Sequence, residues 1–291
     1  MSKVLFNFHN YSIVEAAGDD LLAPVAQKIV KLSQANTPKH ISLFGGSTVF
    51  KLFTYLETSG LVSQINWDNL HLWWNDERLV DHADSESNYG ELWRKHLSNY
   101  PLKEENVHPI KGLTGDQLEF SQVELEALRM EKLVNELIPA NDKGIPSFDL
   151  IILGIGDDGH TASLFPTLID PNEPQLYVPT FHPLTGQPRI SQTSKLINAA
   201  KEICFVAAGK GKAKVIAQVV NHIAGLLLLA NVVAQHGDKE LDLVAYAAQR
   251  FGSTEVLVHI GLLNHTTMYL DPEAAVDINL AELSEAINHL N

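Results

Sequence analysis

A single cysteine, Cys204, stands among the 291 residues, so no disulfide can close within the chain and a disulfide-stapled fold is excluded. Long apolar runs are missing too. The most lipid-like stretch, Ile223 to Ala234, contains Asn231 and falls far short of the ~20 apolar residues a spanning helix needs. The opening MSKVLFNFHNYSIVE has no basic segment followed by an apolar one. No secretory signal is therefore expected, and a cytoplasmic location is the default. Positive charge is scarce: 21 Lys and Arg face 35 Asp and Glu, for a formal net charge of −14. A field of that sign argues against nucleic acid or an anionic membrane as the partner. It still permits a small anion, because screening confines exposed charges to about 8 Å and a local basic cluster can then hold a phosphate. Catalytic signatures are absent as well. No G-x-S-x-G elbow, no H-E-x-x-H and no close Cys/His set occurs, which disfavours a covalent serine and a zinc hydroxide. No metal and no cofactor are expected.

What is present is alternation. The composition is 45% hydrophobic, enough for a real core. Strand-like runs at Val4–Phe8, His40–Phe44, Leu70–Trp74, Asp149–Leu153, Ile203–Ala207 and Val256–Ile260 are separated by helical patterns. These patterns cover Asp19–Ser33, Val49–Leu56, Tyr89–Leu97, Gln117–Leu137, Lys212–Leu229 and Leu280–Leu290. In the fifth, Val215, Ile216, Val219, Val220, Ile223, Leu226 and Leu227 recur at helical spacing. The alternation predicts an α/β fold with a mainly parallel sheet flanked by helices on both faces. No repeat or linker divides the chain, so one domain over residues 1–291 is expected, with an extra helical segment around 221–253. Pro166–Pro188 reads as a long surface excursion.

Sheets of this kind bind ligands beyond the carboxyl ends of their strands, which directs attention to the loops there. Gly45-Gly46-Ser47-Thr48 follows the run ISLF. Its glycines let backbone N–H groups approach a ligand and its hydroxyls can bond a phosphate, although for the segment taken alone an ordinary turn with Ser47 as helix cap is the stronger reading. Asn75-Asp76-Glu77-Arg78 follows the aromatic run HLWW, and Arg78 offers a planar fork for phosphate or carboxylate. Ser87-Asn88-Tyr89-Gly90 reads as a helix start. Pro188-Arg189-Ile190-Ser191 and Gly209-Lys210-Gly211-Lys212 add further cations; the second is not a Walker A loop, because Val206 stands where its first glycine is needed.

The most informative segment is FDLIILGIGDDGHTASLFP. Gly154, Gly156 and Gly159 formally match the dinucleotide fingerprint. Asp157 and Asp158, however, would set negative charge where a pyrophosphate must lie, and Pro166 cuts the following helix short. What remains is a glycine-rich loop presenting Asp158 and His160. Asp158 can hold one ring nitrogen of His160 and leave the other free to take a proton from water.

The segments FGGST, NDER with SNYG, LGIGDDGHTASLFP, PRIS and AAGKGKA occur in the order and approximate spacing found in the 6-phosphogluconolactonases, and over roughly residues 1–215 the chain resembles that family, with a weaker echo in YLDPEAA. The resemblance implies a modified Rossmann fold of the NagB type and hydrolysis of a phosphorylated sugar lactone in the oxidative pentose phosphate pathway. It implies His160 as water-activating base and Asp158 as its orienter. Gly45, Gly46, Ser47, Thr48, Asp76, Arg78, Arg189 and Lys212 would be substrate and phosphate contacts, with Arg78 also a candidate for stabilising the oxyanion. A monomer or homodimer with a small-molecule substrate is expected. Val49 and Asp81 stand where the family commonly has Pro. Two alternatives are a glucosamine-6-phosphate deaminase and a catalytically silent sugar-phosphate sensor. Against the first, Ser163-Leu164-Phe165-Pro166 replaces the element carrying the ring-opening acid.

Overall fold

The computed structural model describes residues 2–8, 10–112, 120–166, 168, 170, 172–235 and 265–281. Its strands are β1 (Lys3–Phe8), β2 (Tyr11–Glu15), β3 (Lys39–Leu43), β4 (Leu70–Trp74), β5 (Asp76–Arg78), β6 (Val107–His108), β7 (Leu150–Leu153), β8 (Tyr177–Phe181), β9 (Pro188–Gln192), β10 (Glu202–Ala207) and β11 (His265–Leu270). Its helices are α1 (Asp19–Ser33), α2 (Ser47–Thr58), α3 (Asn88–Lys95), α4 (Phe120–Leu137), α5 (Ser194–Ile197), α6 (Ala213–Gln235) and α7 (Pro272–Ala275). The expected strand Val256–Ile260, nearly all of the helix Leu280–Leu290 and positions 236–253 of the extra segment lie outside the described residues.

Eight strands form one sheet in the order β1-β2-β11-β10-β7-β3-β4-β6. Every neighbouring pair is parallel except β1 with β2. From β3 the chain winds outward to β4 and β6; from β7 it winds the other way to β10 and β11. The direction of winding therefore reverses between β3 and β7, and such a reversal opens a crevice at the strand ends.

Side chains alternate strictly across this sheet. Ile151, Leu153, Ile203 and Phe205 join the buried cluster under α4 and α6, while Leu150, Ile152, Cys204 and Val206 join the one under α1 and α2. A strand buried on both faces reads as a continuous apolar run, which is why LIIL and ICFVA were visible in the sequence. Among the described residues, no helix is long and apolar enough to cross a membrane.

The second sheet, antiparallel β5-β9-β8, was not expected. It turns NDER and PRIS, read as loops, into paired strands, and β8 lies inside the stretch read as a surface excursion.

At the opposite end of the main sheet, His40, His71 and His108 pack around Trp73. His71 Nδ1 lies 2.9 Å from His108 Nε2, and the Trp73 indole N–H donates to His40 Nδ1 at 3.2 Å. Burial, with the neighbouring His71, pushes His40 down to about 4 and His108 to about 3. Both rings are thus held neutral below the 6.5 of a free imidazole. Between those limits the unfolded chain binds more protons, so the stability they contribute is complete above pH 6.5 and is lost as pH falls toward 4. Buried Glu77, pushed up from 4.5 to about 7, works in the opposite direction, one group against two. The urea midpoint is expected to fall between pH 6.5 and 4.5, with a smaller slope in His108→Phe. A midpoint that holds steady or rises as the solution is acidified would remove these rings from the account.

Candidate active site

Two loops meet at the reversal between β3 and β7. After β3 the chain passes through Phe44, Gly45 and Gly46 into α2. Gly46 adopts φ 91° at the cap position, and the helix opens at Ser47 with no side-chain cap. Ser47 is therefore the first helical residue rather than its cap. Gly45 is required by a close approach, since a Cβ there would lie 1.9 Å from Asn88 Oδ1.

The loop after β7 is wound tightly. The Gly156 N–H donates to His160 O at 2.8 Å and the Gly159 N–H to Gly156 O at 3.0 Å, with Gly159 at φ 85°. Ala162 has φ 50°, the one positive value outside glycine among the described residues. A side chain costs about 1–3 kcal/mol in such a conformation, so the surroundings must impose it. The winding brings His160 Nδ1 to 2.5 Å from Asp158 Oδ1, and the His160 backbone N–H donates to the same oxygen at 3.1 Å. Partial burial would raise the Asp158 carboxyl, but the His160 backbone N–H, the imidazole charge and the ring hydrogen bond together hold it below the ordinary range. The His160 side chain is 28% exposed, so its other edge reaches solvent.

The facing wall is β5 paired with β9. Their register sets Asp76 opposite Ser191 and Arg78 opposite Arg189. Like charges directly opposite each other destabilise a sheet, and two arginines here make a local positive field. Asp76 relieves part of it: Ser163 Oγ donates to Asp76 Oδ2 at 2.5 Å and receives Arg189 Nη1 at 3.4 Å. Arg78 Nη1 donates to Glu86 O at 2.8 Å. Both guanidinium Nε atoms are buried and have no hydrogen-bond partner among the described residues. Burial lowers the pKa of Arg189, with Asp76 opposing. The Phe165 ring joins the two walls, with its centroid 4.9 Å from that of His160 and 5.6 Å from Arg189 Cζ.

The resulting cleft is lined by Gly45, Asp76, Arg78, Asn88, Gly156, His160 and Arg189, among others. Of the remaining residues singled out from the sequence, Gly46, Ser47 and Thr48 flank it and Asp158 stands behind His160. Lys212 is not among the lining residues; its Nζ donates to Asp157 Oδ1 at 2.7 Å. Two residues of the segments NDER and SNYG take places that the sequence did not assign them. Asn88 points its amide at Asp76 O, 3.0 Å away, and forms part of the wall. Glu77, wholly buried, accepts the backbone N–H groups of Arg78 and Asn88 on one oxygen, and Ser87 Oγ and the Tyr89 N–H on the other, at 2.7–3.0 Å. Ser87 also caps α3, as the sequence suggested, while Glu77 ties that helix to β5. Among the described residues, no group of three or more His, Cys, Asp or Glu side chains is arranged to hold a metal.

The family model described as glucosamine-6-phosphate isomerases/6-phosphogluconolactonase matches residues 14–239. The chain is 43% identical over 195 residues to the 6-phosphogluconolactonase of Haemophilus influenzae, covering 67% of this chain and 79% of that protein. It is 32% identical over 210 residues to the 6-phosphogluconolactonase of Streptomyces coelicolor, covering 71% and 80%. Among solved structures, devB protein superposes with a TM-score of 0.75 at 34% identity, over 93% of this chain and 99% of that one. The Trypanosoma brucei 6-phosphogluconolactonase superposes with a TM-score of 0.71 over 94% and 100%, and at 22% identity it shows the shared fold alone.

A Cβ on Gly156 would lie 2.2 Å from His160 Nδ1 and 2.7 Å from Asp158 Oδ1. Gly156→Ala is accordingly expected to part these two side chains. In ring-nitrogen NMR the wild type should show His160 protonated at Nδ1 and bonded, and the variant should lose that signal. An unaltered spectrum would mean the ring does not lie over Gly156.

Proposed function

The chain belongs to the glucosamine-6-phosphate isomerase/6-phosphogluconolactonase family, and from that premise we infer that it hydrolyses 6-phospho-D-glucono-1,5-lactone to 6-phosphogluconate in the oxidative pentose phosphate pathway. One observation carries the reading at the site: Arg78 and Arg189 stand opposite each other across two strands, in the same cleft as the Asp158–His160 pair. The first feature suits a phosphorylated anion, the second suits activation of water, and one small substrate needs both.

In this proposal Arg189, Lys212 and the Gly45–Thr48 loop hold the phosphate. Asp158 accepts the Nδ1 proton of His160, which fixes the tautomer and leaves the Nε2 lone pair available. His160 takes a proton from water as its oxygen bonds to C1, and the carbonyl π electrons move onto oxygen. Arg78 or neighbouring backbone N–H groups stabilise that oxyanion. Collapse then breaks the bond from C1 to the ring oxygen. The ring oxygen receives the proton held by His160, and the new carboxylic acid ionises to carboxylate. Lactones open slowly unaided, so a general base contributing about 10²–10⁴-fold is a sufficient apparatus. With Asp76, the cationic wall accounts for recognition of the sugar phosphate.

His160→Ala is expected to lower kcat by about 10²–10⁴-fold with KM little changed. Asp158→Asn should also lower kcat strongly, because a carboxamide N–H offered to Nδ1 favours the wrong tautomer. Arg189→Ala should raise KM at least tenfold. The assay is lactone consumption corrected for spontaneous hydrolysis, run beside ammonia release from glucosamine 6-phosphate. Ammonia release without lactone opening would overturn the activity, and an unaltered kcat in His160→Ala would remove that residue from the chemistry.

A further inference from the structure

The Gly209–Lys212 turn lies after β10, beside the GDDGH loop after β7, because those strands are parallel neighbours. The Asp271 carboxylate pins it, accepting the Gly209 N–H at 3.0 and 3.1 Å. The turn opens α6, a helix of 23 residues whose positive end faces it. A carboxylate from within the chain already rests there. Asp157 Oδ1 is 2.7 Å from Lys212 Nζ, and Oδ2 would be 2.9 Å from a Cβ on Gly211, so the acid rests close against the turn. The cation is the sheltered partner, with its side chain 23% exposed against 69% for Asp157.

We propose that Asp157 is an internal counter-anion that occupies Lys212 in the empty enzyme and is displaced by the substrate's phosphate, which makes it a residue that sets affinity for the phosphorylated lactone. The proposal rests on the reading of Lys212 as a phosphate contact. An exposed carboxylate–ammonium pair is weak, whereas a phosphate monoester brings nearly two negative charges and three acceptor oxygens. Exchange of one anion for the other therefore favours the ester. Asp157 lowers affinity by occupying the cation that the phosphate needs, and its removal should tighten binding.

The test is Asp157→Asn, with melting temperature as a check on folding. Two quantities are measured at low ionic strength: the inhibition constant of inorganic phosphate, and KM for the phosphorylated lactone beside KM for unphosphorylated glucono-1,5-lactone. Phosphate inhibition and KM for the phosphorylated lactone are expected to tighten about two- to fivefold, the range an exposed pair can supply. The unphosphorylated lactone should not respond, and the gain should vanish in 0.5 M salt, where the screening length shrinks to roughly 4–5 Å. In a Lys212→Ala background, adding Asp157→Asn should change nothing. Phosphate binding that is unaltered or weaker in Asp157→Asn, or a gain that persists without Lys212, would overturn the proposal. If Lys212→Ala alone binds phosphate as well as the wild type, the Lys212 assignment falls and this inference with it. Lactonase activity itself is judged separately, by His160→Ala.

Discussion

Asn75 holds the two sheets in register. It is fully buried at the step from β4 to β5, and its four polar groups are spent on three different strands. Its N–H donates to Leu43 O on β3 at 2.8 Å, its carbonyl accepts the Gln192 N–H of β9 at 2.7 Å, and its side-chain amide donates to Ile152 O on β7 at 2.6 Å. Its Oδ1 accepts Ser42 Oγ at 2.5 Å. Gln192 extends the network, its amide donating to Ser42 Oγ and to Tyr177 OH. A buried polar group left without a partner costs about 1–3 kcal/mol. A slip of the small sheet against the large one would strand several at once. Asp76 and Arg78 follow Asn75 directly, and Arg189 stands opposite Arg78, so the cationic wall inherits its position from this junction.

The base side is fixed by another means. There the backbone is wound into a turn that only glycine or an imposed strain permits, and the missing side chains at Gly45 and Gly156 are space given to Asn88 and His160. One wall is therefore set by the hydrogen bonds of Asn75 and the other by the absence of atoms. Phe165 lies between the two, near the imidazole on one side and the Arg189 guanidinium on the other, and the His160 side chain stays partly open to water.

The pattern of what could be read beforehand follows from this division. The central strands are continuous apolar runs, and the loops directly after them are glycine-rich. FGGST and GDDGH could thus be placed at strand ends from local sequence alone. The strands β5 and β9 read DER and PRISQ, short and largely polar, and they pair across more than a hundred residues. No local period reveals such a pairing. Arg78 and Arg189 could be proposed singly as cations, but their opposition exists only in the register. Asn75 was likewise hidden, because an asparagine after a strand looks like a turn residue until its four bonds are traced. Asp157 was seen only as half of an acidic pair unsuited to a pyrophosphate. In the fold the two part company, Asp157 facing Lys212 and Asp158 facing His160.

The charges around the cleft then bear on how a chain of net charge −14 handles an anion. Arg78, Arg189 and Lys212 are accompanied by Asp76, Asp157 and Asp158, so the cations are matched by carboxylates within the same group of loops. Excess positive charge is not what draws the substrate. Recognition then has to come from geometry: Arg78 and Arg189 stand opposite each other in the cleft while the carboxylates Asp76, Asp157 and Asp158 are tied to Ser163, Lys212 and His160. A balanced site of this kind has a consequence for turnover. On the proposed assignment of His160, ring opening adds a negative charge next to His160 with Asp158 behind it, so an arrangement that accepts the phosphorylated lactone is poorly matched to the product and favours its release.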